Sequence, residues 1–372
     1  QSGKGVALLD PHGDFSEDLL DKIPPHRVND VIYYSPADLD HPIGINLFSQ
    51  VPPDQRPIIT EHIVSVFKHI WDLSEESTPR LLNWLLNTVS ALLEKQGSTL
   101  LGIYRMLIDE TFRNQVVGSV KDPHTRQYWE EEFGQYDDRQ RALVIDSTLN
   151  KVGLLLSSPI IRNSVGQVKN KLNFNRITDD KKIIICNLSK GLVGEQGSKL
   201  LGSLISIQIY LTIMKRADTP ESDRVPFYLY IDEFQNFGTS VFEQILSEAR
   251  KYKLSLTLAH QFISQLQIPL RDSIFGNVGS IVSFQTGSND GEHLAREFSE
   301  SGNVLQSYAF SDLDPYEIRT RLQVNGKLMS PFKGRTLEPT SVGFDYKNSV
   351  LQHSRDRYAL PRTTVEQNIE KW

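Results

Sequence analysis

The sequence is short of several things, and each shortage narrows what it can be. One cysteine, Cys186, stands among 372 residues, so no internal disulfide can form and the chain suits a reducing compartment. It lies inside the apolar run IIICNL and reads as a small buried hydrophobe. No stretch approaches the roughly 18 continuous apolar residues of a membrane-spanning helix. Basic residues do not predominate: 40 Lys and Arg against 46 Asp and Glu give a formal net charge of −6. That argues against a surface that coats nucleic acid, though not against a local basic lining. With 39% hydrophobic and 23% charged residues the composition is ordinary for a globular protein, and wholesale disorder is excluded. The length leaves room for two or three domains.

What the chain does have is one stretch around which the rest is organised. Pro226–Phe237 reads PFYLYIDEFQNF. Its run from Phe227 to Ile231 is aromatic, Leu or β-branched throughout, without alternation, and predicts a strand covered on both faces, as inside a parallel sheet. Asp232 and Glu233 follow at its end. In open α/β sheets ligands bind at the carboxyl ends of strands. Two adjacent acids there match a Walker B element, in which the first holds Mg²⁺ through water and the second polarises the water attacking a γ-phosphate. A strand running out into a solvated acidic turn has the same spelling, so the pair alone does not choose.

Gly5–Leu9 (GVALL) predicts another buried strand, stopped by Asp10-Pro11-His12-Gly13-Asp14. Ser16–Leu20 starts a helix with Ser16 as its cap. Val31–Tyr34 is a strand, and Pro36 to Pro57 a connecting loop. From about Arg56 to Gly166 apolar residues recur at helical spacing: Ile59, Ile63, Val66, Phe67 and Ile70, then Leu81, Leu85, Val89 and Leu92, then Ile145, Leu149, Val152 and Leu156. Caps are expected at Thr78-Pro79 and at Ser98. Tyr128, Trp129 and Phe133 within this block read as core rather than as a base-stacking surface. Ile183–Leu188 resumes the sheet, and Leu200–Met214, apolar nearly all round, predicts a buried helix. After the central stretch come a helix through Val241, Ile245, Leu246, Ala249 and Tyr252, and a buried strand Leu254–Ala259 with His260 and Gln261 at its tip. A strand Gly279–Phe284, a helix capped by Asn289-Asp290 that runs to Phe298, and a hairpin from Ile318–Val324 into Asn325-Gly326-Lys327 complete the pattern. The tail shows little periodicity and reads as a surface extension or contact arm. Residues 1–55 and 167–310 are thus expected to form two parts of one α/β core, 56–166 an inserted all-helical domain, and 311–372 a C-terminal extension.

A phosphate-cradling G-x-x-x-x-G-K-[ST] is missing. The Gly191 to Gly197 spacing is one too long and Ser198 precedes Lys199, while Gly3-Lys4-Gly5 has no strand before it and a glycine where Ser or Thr belongs. Even so, strand ends carrying DPHGD, IDEFQNF and AHQ in that order, with a helical insertion between the first two, resemble the conjugative or type IV secretion coupling ATPases. These TraD/TraG-like proteins belong to the FtsK/HerA superfamily of RecA-like P-loop DNA translocases. The resemblance runs from about Gly5 to Glu300 and is most specific in YIDEFQNF followed by LSEARKYKLSLTLAHQ, with IRNSVGQ and NLSKGLVGE adding to it.

The resemblance implies a RecA-like P-loop NTPase core with a mainly parallel central sheet and an inserted all-α domain. It implies an ATPase that pumps DNA or a nucleoprotein substrate, with ATP and Mg²⁺ as cofactors held at the interfaces of a homohexamer. The partners implied are DNA and relaxase or secretion-system proteins, and the place implied is the cytoplasm, at the inner face of a bacterial cell membrane. Position by position, Asp232 and Glu233 match the Walker B pair, with Asp232 holding Mg²⁺ through water, and Gln261 matches a glutamine that senses the γ-phosphate. Arg250 matches an arginine reaching the neighbouring subunit's nucleotide; a basic helix end satisfying the dipole is its equal alternative. Asp10 and Asp14 match acids lining the nucleotide, and His12 and His260 are loop residues shaping the site, without metal-ligand company at usable spacing. Lys190, Lys199, Lys251 and Lys253 are candidates for DNA phosphate contacts.

The family carries a Walker A loop ahead of the strand that GVALLDPHGD represents. The expectation is therefore a chain that starts downstream of that loop, and of any membrane-anchoring segment, in a longer protein, and that is inactive by itself; the other explanation is loss of the ATPase activity. Two further functions stay open, a non-hydrolysing scaffold or adaptor on a RecA-like fold and a HerA-like DNA-repair or segregation translocase. A hydrolase using paired carboxylates on sugars or peptides leaves Gln261 and Arg250 without a role.

Overall fold

A computed structural model describes residues 2–49, 51–300, 304–339 and 343–372. The apolar runs form a five-stranded, wholly parallel sheet of β1 (Gly5–Asp10), β2 (Val31–Tyr34), β3 (Ile183–Asn187), β4 (Phe227–Ile231) and β5 (Leu254–Leu258). Their order across the sheet is β2-β3-β1-β4-β5. β1 sits at the centre, and its register sets Leu9 against Cys186 on one side and Ile231 on the other. Every carboxyl end therefore faces one edge, where Asp10, Asn187 and Asp232 come side by side.

The helix α1 (Asp14–Leu20) follows β1. Between β2 and β3 the regular elements are helical: α2 (Arg56–Trp71), α3 (Pro79–Glu94), α4 (Leu101–Ile108), α5 (Glu110–Val117), α6 (Pro123–Gln127) with a π turn at Tyr128–Glu132, α7 (Asp138–Ser157), α8 (Pro159–Val165) and α9 (Phe174–Asp179). Tyr128, Trp129 and Phe133 are buried and pack ring on ring, as a core reading requires. The side chain of Ile145 lies outside the described residues. The helices α10 (Lys190–Val193) and α11 (Glu195–Met214) follow β3. By length and composition α11 and its extension can cross a membrane, yet 78% of that window is buried inside the protein, so it is a core helix against the sheet. It lies so close to the turn after β4 that a Cβ on Gly202 would stand 2.3 Å from the Phe237 ring.

Beyond β4 come α12 (Val241–Glu248), α13 (Ile268–Asn277), α14 (Ser288–Phe298) and α15 (Tyr308–Ser311). The strand β6 (Ile281–Ser283) does not extend the main sheet. It pairs antiparallel with β7 (Glu317–Arg321), which pairs in turn with β10 (Phe332–Arg335). The ribbon of β8 (Gln323–Val324) and β9 (Lys327–Leu328) turns on Asn325 and Gly326, both at positive φ, as a two-residue hairpin demands. The expected buried strand at Leu254 is an edge strand: among the described residues only β4 pairs with it, and Ser255 and Thr257 are exposed.

Three expected caps differ. Ser16 is buried within α1, whose cap residue is Gly13 at φ 95°; α4 begins at Leu101, after Ser98; and α14 begins at Ser288, with Asn289 and Asp290 already helical. The tail is more ordered than its pattern suggests, forming α16 (Lys347–Tyr358) and α17 (Arg362–Lys371). α16 lies along β2, where Ser354 Oγ accepts from Tyr33 N–H (2.9 Å) and donates to Tyr33 C=O (3.3 Å), closing that sheet edge. The arm then crosses to the helical block. There the Trp372 indole donates to Gly97 C=O (2.6 Å) and Arg105 donates to the Trp372 carbonyl (2.7 Å).

Candidate active site

Three neighbouring strand ends build the site. Asp232 N–H donates to Leu9 C=O (3.0 Å) and Ala259 N–H to Ile231 C=O (3.0 Å), so the parallel ladder holds the ends of β1, β4 and β5 in step. Glu233 then takes a left-handed conformation, φ 48° and ψ 52°. For a residue other than glycine this costs on the order of 1–3 kcal/mol, and such strain gathers at functional sites. The turn is held by Asn236 Nδ2 donating to Glu233 C=O (2.8 Å) and by the buried rings of Phe234 and Phe237. From the helical block, His69 Nε2 reaches Asn236 C=O at 3.1 Å.

This turn brings the Glu233 carboxylate to Gln261 at the tip of β5, whose Nε2 donates to Oε1 at 2.7 Å. Gln235 Nε2 donates to the other oxygen, Oε2, at 2.5 Å. His12 Nε2 stands 3.9 Å from Oε1. Burial raises the pKa of Asp232 above the ordinary carboxylate value, and the charges of Glu233 and Asp10 raise it further; Glu233 N–H and His12 only partly offset this. Burial likewise lowers the pKa of His260, against the carboxylates of Asp290 and Glu233.

Asp232, Glu233 and Gln261 thus converge, with His12 and His260 beside them. Asp10 organises the backbone beside them. Its fully buried carboxylate accepts three backbone N–H groups, from His12 (2.9 Å) and Gly13 (2.9 Å) on Oδ1 and from Ser16 (2.8 Å) on Oδ2. Both oxygens are engaged by the turn and the first turn of α1, so Asp10 fixes the backbone that shapes this side of the site. Asp14 is exposed on that same turn.

Arg250 precedes β5 whereas Gln261 follows it, so Arg250 lies at the amino-terminal edge of the sheet, exposed and across the strand's length from its own chain's carboxylates. The four lysines divide in the same way. Lys190 and Lys199 lie after β3 at the carboxyl edge, Lys251 and Lys253 before β5 at the opposite one. Lys199 is paired with Glu195 (2.7 Å) and Lys253 with Glu221 (3.5 Å).

Sequence reasoning missed Gln235, a glutamine that nothing in the local pattern marks. It also missed the chain Lys347–Glu17–Tyr33–Asn187, in which Tyr33 OH donates to Glu17 (2.7 Å) and Asn187 Nδ2 donates to Tyr33 (2.9 Å) beside the Gly13 turn. Among the described residues no three His, Cys, Asp or Glu side chains form a metal cage. A hollow of about 590 Å³ between α4, α7, α8 and α17 is lined by none of the site residues. One partly buried carboxylate whose charge lacks compensation, and no cage, is a donor set that fits Mg²⁺, which keeps most of its waters and binds through one or two carboxylates plus phosphate oxygens.

A parallel sheet with acids and an amide converging at its carboxyl edge, and a helical block between two of its strands, defines a RecA-like core. Residues 226–302 match the family model described as the TraM recognition site of TraD and TraG. Among solved structures, the plasmid coupling protein TrwB bound to the non-hydrolysable ATP analogue ADPNP matches with a TM-score of 0.63 at 14% identity, over 90% of this chain and 78% of that one. The unbound ΔN70 form of TrwB, a bacterial conjugative coupling protein, matches at 0.61 and 13%, over 90% and 79%. VirB4 of Thermoanaerobacter pseudethanolicus matches at 0.53 and 14%, over 91% and 83%. TrwB has also been solved with ADP and Mg²⁺. No curated protein sequence matches the chain. The fold is that of TrwB, and the resemblance to TraD/TraG-like coupling proteins is borne out in the segment where the motifs were most specific.

Proposed function

We propose that this chain is the catalytic body of a coupling ATPase of a conjugative or type IV secretion system, hydrolysing ATP at subunit interfaces to move DNA or a nucleoprotein. The observation that carries this reading is the 2.7 Å bond between Gln261 and Glu233 across two parallel strand ends, with Asp232 alongside and Glu233 strained into place. When bound, MgATP supplies the phosphoric anhydride and the cation that neutralises its charge. Asp232, whose charge is only partly offset, would hold the Mg²⁺ through water. Glu233 accepts the proton of the attacking water. Gln261, exposed at the tip of β5 and able both to donate and to accept, leaves Glu233 for the terminal phosphate and reports its presence.

Arg250, exposed at the opposite edge of its own sheet, would act as a guanidinium finger in trans at a neighbour's site in a hexamer. DNA phosphates would meet Lys190, Lys199, Lys251 and Lys253, and relaxosome or secretion proteins the segment 226–302 and the helical block. On this reading the protein works on the cytoplasmic side of the cell membrane. The reading also needs a phosphate cradle, which residues 1–372 do not spell. The second edge of β5 offers it a place: a further parallel strand added there would end beside Gln261 and Glu233.

Mixing subunits tests the arrangement. In the full-length protein Arg250→Ala and Glu233→Gln each abolish turnover, and a mixture of the two recovers part of it, because an intact Glu233 site then meets an intact Arg250. A mixture as dead as its parents counts against the trans finger. The 372-residue chain alone should not bind ATP measurably by calorimetry, and micromolar binding would refute the separate cradle.

A further inference from the structure

Gln235 is held in an unfavourable setting. Its Nε2 donates to Glu233 Oε2, while its own Oε1 is buried with no hydrogen-bond partner. A buried, unpaired amide oxygen is costly, and a native protein keeps one where the group has a task. The backbone around it is fixed by Phe234 and Phe237 in the core, by Asn236 on Glu233 C=O and by His69 on Asn236 C=O. The amide is therefore aimed by a rigid turn at one atom. That atom is the inner carboxylate oxygen. The outer one, Oε1, faces Gln261 and His12 at the mouth of the site.

We propose that Gln235 is a positioning residue for Glu233: it tethers Oε2 and thereby leaves Oε1 as the oxygen presented to the attacking water when Gln261 moves to the terminal phosphate. This rests on the hydrolytic reading given above. A carboxylate on a rotatable stem otherwise samples orientations in which neither oxygen faces the water, and an error of an ångström in a general base is felt in turnover rather than in binding. The tether is neutral by necessity. A carboxylate in place of the amide has no N–H to donate and would set two like charges within hydrogen-bonding distance, driving the groups apart.

The test uses the full-length protein and ATP. Gln235→Met keeps the side chain's length without the donor. It should lower kcat roughly 10- to 100-fold with KM and nucleotide affinity unchanged. Gln235→Asn keeps an amide on a stem too short to reach Oε2 and should lower kcat in the same way; a residue that only stabilised the turn would lower the melting temperature and leave kcat in place. Wild-type kcat in Gln235→Met or in Gln235→Asn overturns the tether while the hydrolytic reading stands. Normal turnover in Glu233→Gln removes that reading, and the tether with it.

Discussion

Replacing Asp10 by Asn tests whether this acid organises the turn after β1 or serves a ligand. The carboxylate accepts from His12 and Gly13 through one oxygen and from Ser16 through the other, each at 2.8–2.9 Å, in full burial. An amide retains one oxygen, so at least one N–H must face an NH₂ group. Losing a hydrogen bond to a charged acceptor costs about 1.5–3 kcal/mol, and the donor left buried adds to it. Removing the negative charge from the amino end of α1 costs up to about 1 kcal/mol more. The sum, roughly 3–4 kcal/mol, falls on local opening and corresponds to amide exchange about 100- to 1,000-fold faster at His12, Gly13 and Ser16. Hydrogen exchange across residues 10–20 reads it directly. Asp14→Asn, on the exposed side of the same turn, is the control and should change little. Exchange within about threefold of wild type in Asp10→Asn would refute the structural role and return Asp10 to the ligand.

Asp232→Asn should raise the melting temperature of the nucleotide-free protein. The folded pKa of Asp232 is raised, so the folded state binds the extra proton and stability falls as pH rises through that window; the neutral amide escapes the penalty, and an unchanged or lower melting temperature at neutral pH would contradict it. His62, buried against the Tyr210 ring, has its pKa lowered to about 4 by burial. Its stability contribution is complete above the ordinary value near 6.5 and drains away as pH falls toward 4, worth roughly 3 kcal/mol in all. Denaturant midpoints for His62→Phe should be flatter than wild type across that interval. Trp372→Ala, removing the indole bond to Gly97 and the packing on Phe112, should free α17 from the helical block and open the arm to limited proteolysis; an equally resistant arm would show that the anchor lies elsewhere.

The core of this fold was legible because its signals are local. Phe227–Ile231 is a strand to the residue, as its unbroken apolar run demands, and Asp232 and Glu233 fall at its end for the same reason. Depth within the sheet was not legible: nothing in LSLTLA says that β5 pairs with β4 alone among the described residues. That the Gly13 turn folds back to bring three N–H groups onto the Asp10 carboxylate was not legible either, a property of backbone geometry and not of spelling. α16 escaped because polar bonds, Ser354 to Tyr33 and Arg355 to Asp38 (2.7 Å), hold it where there is no apolar stripe, and α17 because it buries little beyond Val365. Gln235 lies inside YIDEFQNF, but nothing in that spelling gives its side chain a task; the left-handed turn at Glu233 does.

The central claim, that a carboxylate and an amide brought together from two strand ends split a bound triphosphate, is tested most directly by Glu233→Gln in the full-length protein, with ATP hydrolysis and ATP affinity measured side by side. The account predicts that turnover disappears while affinity stays within a few-fold of wild type. Hydrolysis at the wild-type rate in that variant would contradict it.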